Sequence, residues 1–103
     1  MVGDWVLTVT GEIVRVDREN IDKSGRNPKF ALTFIVRPTE VDGVPAGATV
    51  PAELPIRIHD RDLPKLIARE PVVGDRVVMS GKANGPRPAL FYMTAVRPIA
   101  GSS

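Results

Sequence analysis

The sequence predicts an all-β domain, a small closed barrel of five strands in Greek-key order with one short helix between strands 3 and 4. Three observations predict it. Several stretches alternate apolar and polar residues with a period of two, as half-buried strands do. Clusters of glycine, proline and asparagine punctuate those stretches at turn positions. The alternation of the first strand changes phase across a glycine, the device by which one long strand bends to serve both halves of a closed barrel.

The first strand spans about Trp5 to Asp17. Leu7 and Val9 set one phase, Val14 and Val16 the opposite one, and the switch falls around Gly11-Glu12-Ile13. The loop Asn20 to Pro28 is rich in turn formers and carries Lys23 and Arg26. The second strand, Lys29 to Arg37, alternates most clearly, with Phe30, Leu32, Phe34 and Val36 on the core face and Ala31, Thr33 and Ile35 opposite. Pro38 is expected to end it, and a long connection follows from Thr39 to about Ala48. In the third strand Leu54, Ile56 and Ile58 share a face. Pro51 and Pro55 place that strand at a sheet edge or a bulge, because proline has no N–H for the ladder.

Asp60 or Asp62 can cap a short helix, Pro64 suits its first turn, and Leu63, Leu66 and Ile67 share one apolar face at i, i+3 and i+4 spacing. Gly74-Asp75 is a turn dipeptide. Beyond it Val77, Met79 and Gly81 alternate with Arg76, Val78, Ser80 and Lys82, the fourth strand. Asn84-Gly85-Pro86-Arg87-Pro88 then links to a last strand, about Ala89 to Val96. The expected domain is 1–99, with 100–103 a disordered C-terminal tail. Three strands, a short helix and two more strands, with a bent first strand, is the element order of the OB-fold.

At 103 residues the chain is long enough for one modest core. With 43% hydrophobic and 25% charged residues it has the composition of a globular domain, not of a disordered chain. It lacks cysteine, which excludes disulfides and thiolate metal sites and is compatible with a reducing compartment. The N-terminal residues M-V-G-D-W show no charged segment followed by an apolar one, and no apolar run reaches the roughly 18 residues of a membrane span. The expectation is a cytoplasmic protein with no membrane partner.

The formal charge is +2, from 14 Lys and Arg against 12 Asp and Glu. Lys23, Arg26, Lys29 and Arg37 occur without an intervening acid, and Arg76, Lys82, Arg87 and Arg97 follow Asp75 without one. Brought to one side, these segments would make a basic face. Spread over strand exteriors, they would only solubilise the barrel.

The segment L-P-K-L-I-A-R-E-P-V-V-G-D-R-V-V-M-S-G-K-A, from Leu63 to Ala83, resembles the short helix, glycine turn and fourth strand of bacterial single-stranded-DNA-binding proteins and their small relative, the primosomal replication protein N. W-V-L-T-V-T-G-E-I, from Trp5, resembles their opening strand. The likeness covers roughly residues 4 to 98 and is one of pattern. It implies binding of single-stranded DNA, or RNA, across the face of strands 2 and 3, flanked by the loop after the first strand and the loop before the last. The matching positions are Lys23, Arg26 and Lys29, then Arg57 and His59, then Lys82 and Arg87, which would neutralise phosphates. The resemblance also implies a homodimer or higher oligomer and a replication or repair partner. The family's acidic recruitment tail has no counterpart in G-S-S at the end of this sequence and is not carried over.

Bases would need aromatic platforms. Phe30 and Phe34 share the core face. Phe91 and Tyr92 point to opposite faces of a regular strand, and Tyr92, with its hydroxyl, is the stacking candidate. Trp5 either stacks on a base or covers one end of the barrel.

Chemistry other than binding finds little support. His59 is the single histidine, too few for a zinc site without cysteine. A triad of Ser24 or Ser80 with His59 and Asp60 fails because adjacent strand residues face opposite ways. No phosphate-loop pattern occurs. The expectation is therefore a non-enzyme with no cofactor and no metal: a single-stranded nucleic-acid-binding module. The alternative is an OB-fold assembly subunit that docks to a partner or to itself without nucleic acid.

Overall fold

The alternating stretches become five strands whose hydrogen-bonded ladder closes on itself. A computed structural model describes residues 2–22 and 29–99, so Lys23, Arg26 and the tail at 100–103 lie outside the described residues. The strands are β1 (Asp4–Asn20), β2 (Phe30–Asp42), β3 (Leu54–His59), β4 (Arg76–Asn84) and β5 (Phe91–Pro98). Their order around the barrel is β1-β2-β3-β5-β4, and β4 pairs back onto β1. This is the five-stranded OB-fold barrel, antiparallel except where β3 meets β5.

β1 closes the barrel by serving two neighbours: its residues 4–12 pair with β4 and its residues 8–20 with β2. Trp5, Leu7, Val9, Gly11 and Ile13 face inward and are buried. The phase change comes one step later than the sequence suggests, at Val14, which the register skips between Ile13 and Arg15. Gly11 has a different role. It lies at a second register shift, and a Cβ there would overlap the carbonyl oxygen of Arg37 on β2. The position is glycine because two backbones meet there.

Pro38 does not end β2, which continues to Asp42. Past Val36, β2 has no β3 residue to pair with, and Pro38 stands opposite Gly11 where the β1 ladder is already irregular. Its missing N–H therefore costs little. Nor is β3 an open edge. It pairs with β2 over Ala31–Val36 and with β5 through Ile56↔Phe91 and Arg57↔Tyr92 alone. Pro55 lies outside that short parallel ladder, which is how a proline is accommodated in a closed barrel.

The expected helix is a single 3-10 turn, Leu63–Lys65. Asp62 occupies its N-cap without accepting a hydrogen bond from the backbone, and its carboxylate instead takes one from Lys65 Nζ at 3.2 Å. Pro64 stands in the first turn, where its missing N–H has no intrahelical partner to lose, and without a side-chain cap from Asp62 the start of the helix has little support. Leu63 is buried and Ile67 rests against the core, but Leu66 is exposed. The turn at Val72–Asp75 is closed by Asp75 N–H to the Val72 carbonyl at 3.0 Å and by Val72 N–H to Asp75 Oδ2 at 2.9 Å. Gly74 has φ of 97°, in the left-handed region that favours glycine. The turn also grips β1 beside its bend: Gly74 N–H donates to the Ile13 carbonyl at 2.8 Å, and Ile13 N–H to the Asp75 carbonyl at 2.9 Å.

The interior is apolar. Phe34, Phe91, Leu7, Ile13, Leu54, Ile56 and Met79 are fully buried, and no polar or charged side chain is buried among the described residues. Each large side chain contributes about 1.5–3 kcal/mol by leaving water. No helix among them is long and apolar enough to cross a membrane.

Candidate nucleic-acid interface

Closing the barrel brings one outward residue from each strand into register. Asp17 of β1 pairs with Thr33 of β2, Thr33 with Arg57 of β3, Arg57 with Tyr92 of β5, and Tyr92 with Lys82 of β4. Lys82 in turn pairs with Val6, back on β1. The belt is set by strand alternation: Phe91 points into the core, so Tyr92 must point out, and the residue is 60% exposed. It stands between a cation on each neighbouring strand.

Two hollows flank Tyr92. One, of about 270 Å³, opens where the β3–β5 ladder is shortest and is lined by Arg57, His59, Lys65, Tyr92 and Thr94 among others. The other, of about 560 Å³, lies between β4, β5 and the 85–90 hairpin, with Lys82, Asn84, Pro88, Leu90 and Tyr92 on its walls. Arg57, His59, Lys82 and Tyr92 thus share one surface. Lys29, just before β2, and Arg87, in the hairpin, are exposed at its margins.

Trp5 is not on this surface. It is 9% exposed, donates Nε1–H to the Gly85 carbonyl at 2.9 Å, and meets Phe91 edge to face with centroids 5.8 Å apart. Of the two roles open to it, it takes the covering one, and as a stacking residue it is corrected. Its ring is taken up by the core because Trp5 shares the inward phase of Leu7 and Val9.

Among the described residues neither basic segment forms a continuous basic face. Arg57 Nη2 binds Glu19 Oε2 at 2.7 Å and its Nε reaches Thr33 Oγ1 at 3.4 Å. Lys82 Nζ lies 3.9 Å from Asp4, and Arg37 is 3.4 Å from Glu53. Arg76 begins β4 and Arg97 lies near the end of β5, both at the far end of the β4–β5 pair from Lys82. Asp17 and Glu19 reach this surface because they follow the bend, where the outward phase of β1 becomes that of Arg15, Asp17 and Glu19. A second aromatic was also missed: Phe30, assigned to the core, is half-buried at the start of β2, with the Arg18 guanidinium 5.2 Å from its ring centroid. Being the first residue of its strand is the signal, since the barrel covers a strand end incompletely.

Among the described residues no group of three His, Asp or Glu side chains could hold a metal ion. His59 is exposed on β3 opposite Ala31, and among the described residues no hydroxyl is paired with it. Compared with protein-family models, curated proteins and solved structures, the chain finds no match.

Proposed function

We propose that this barrel is a non-catalytic, cytoplasmic module that binds single-stranded nucleic acid, DNA first, on the surface centred on Tyr92, in DNA replication, recombination or repair. The observation that carries the reading is Tyr92 itself: an exposed ring between Arg57 and Lys82, with a hollow on either side. Base stacking on an aromatic face flanked by phosphate-neutralising cations is how single strands are held without sequence readout. Arg57 and Lys82 would accept phosphates in place of Glu19 and Asp4, with His59, Lys29 and Arg87 extending the track and Lys23 and Arg26 adding to it from the 23–28 segment. Anisotropy of a labelled oligo-dT at low salt tests it. Binding that weakens with salt supports the reading, and no binding at tens of micromolar protein would sink it.

An assembly role is the second reading, favoured by the short uncharged patch of Thr8, Thr10, Val78 and Ser80 where β1 and β4 pair, with Val6 beside Lys82 at its edge. There Val6 is 48% exposed, and the Thr8 and Ser80 hydroxyls bond to each other at 3.1 Å, leaving a surface that costs little to desolvate. A homodimer or larger oligomer, stable by light scattering and indifferent to oligonucleotide, would favour this reading over the first.

A further inference from the structure

The 3-10 turn that replaces a longer helix leaves one end of the barrel partly uncovered. A cleft of about 530 Å³ opens there between the 66–71 segment, the start of β4 and the end of β5. Its walls are aliphatic: Leu66, Ile67, Val96, Pro98 and Ile99 contribute, and no aromatic residue does. Arg69, Arg76 and Arg97 line it as well, each exposed. Among the described residues none of the three has an ion pair, in contrast to Arg57 and Lys82 on the Tyr92 surface. The one acid on the cleft, Asp75, already spends Oδ2 on the Val72 N–H. An apolar hollow ringed by uncompensated guanidinium groups is complementary to apolar groups flanked by carboxylates.

We propose that this cleft docks a short segment of a partner protein in which one or two apolar side chains are flanked by Asp or Glu. The apolar side chains would enter between Ile67 and Ile99, and the carboxylates would take the three arginines. Phosphates could satisfy the arginines too, but a single strand is held by base stacking on aromatic rings as well as by its phosphates, and the aliphatic walls offer no ring. The chain's own Glu40-Val41-Asp42-Gly43-Val44 has the same chemistry, with Val44 exposed. A second copy is therefore a distinct outcome of the test.

The probe is a fluorescein-labelled peptide alternating Glu with Leu and Phe, with Gln replacing Glu in its control, titrated by anisotropy and by backbone amide NMR of the full chain. Expected are shifts confined to residues 66–69, 76–77 and 96–99, and binding at least about fivefold weaker for the Gln peptide and for R76E/R97E. A68D, at an exposed position that lines this cleft and neither hollow beside Tyr92, should also weaken binding and guards against misfolding of the charge-reversed variant. Oligo-dT affinity should stay within about twofold in these variants, so the outcome here is separable from that of the Tyr92 reading. Equal binding of the Gln peptide, no binding near millimolar peptide, or shifts on the Tyr92 surface would overturn the proposal. So would displacement of the peptide from this cleft by oligo-dT, which would assign the cleft to nucleic acid. Self-association abolished by R76E/R97E would overturn it in favour of a second copy.

Discussion

Tyr92, exposed over 60% of its surface, lies between Arg57 and Lys82, so its replacement separates binding from folding. Tyr92→Ala should weaken oligo-dT binding by about tenfold, since stacking contributes about 1–3 kcal/mol per base, while the melting temperature barely moves. Tyr92→Phe should bind nearly as the parent does; an unchanged affinity for the alanine variant would remove stacking from the account. Trp5 behaves in the opposite way. Its truncation to alanine would empty a core position and orphan the Gly85 carbonyl, a loss of about 3–5 kcal/mol read by urea denaturation, and its fluorescence in the parent should resist acrylamide. Glu19 is the residue whose removal should help. Glu19→Gln frees Arg57 from a 2.7 Å ion pair, and an exposed pair is worth only about 0.2–1 kcal/mol, so affinity should rise up to about fivefold at low salt. A drop instead would mean that Glu19 holds the guanidinium in its binding position.

At the scale of the element, the bend of β1 and the turn that grips it form one unit. Ile13 presents both its N–H and its carbonyl to the Val72–Asp75 turn, directly before the skipped residue Val14. Gly74→Ala places a side chain at φ of 97°, at a strain of about 1–2 kcal/mol. Gly11→Ala forces β1 and β2 apart and should lose about 1–3 kcal/mol. Both losses would appear as a lower urea midpoint, and if Gly11→Ala proved neutral the close approach of the two backbones would be wrong. The Gly74-Asp75 turn was legible because a left-handed turn position constrains residue type locally. The strand order was legible because alternation constrains faces. The extension of β2 through Pro38 was not, because a proline is excluded only where its N–H is needed, and that depends on which neighbour is missing. The failure of the helix to lengthen past Lys65 had the same character, as the i, i+3, i+4 pattern of Leu63, Leu66 and Ile67 fits one turn or three.

Over the whole molecule, charge is distributed by pairing more than by sign. A net charge of +2 gives a weak long-range field, and Arg57 and Lys82 on the proposed binding surface each have an acid nearby. This is what a reading of the linear sequence misses, since Glu19 and Arg57, or Asp4 and Lys82, become neighbours only when the barrel closes. The consequence is a measurable salt dependence. If Arg57, Lys82, Lys29 and Arg87 each met a phosphate with full counterion release, log affinity would fall against log salt with a slope of about −3. Because Arg57 and Lys82 exchange one anion for another, their share should be smaller, and a slope nearer −2 is expected from the described residues. Charge reversal at Arg57 and Lys82 together should weaken binding and flatten the slope by about one unit or less. Reversal at Arg76 and Arg97, at the far end of the β4–β5 pair, should leave the slope in place. If that second pair proved to set the slope, the nucleic acid would be bound at the arginine-ringed cleft, and Tyr92 would be an exposed ring without a base.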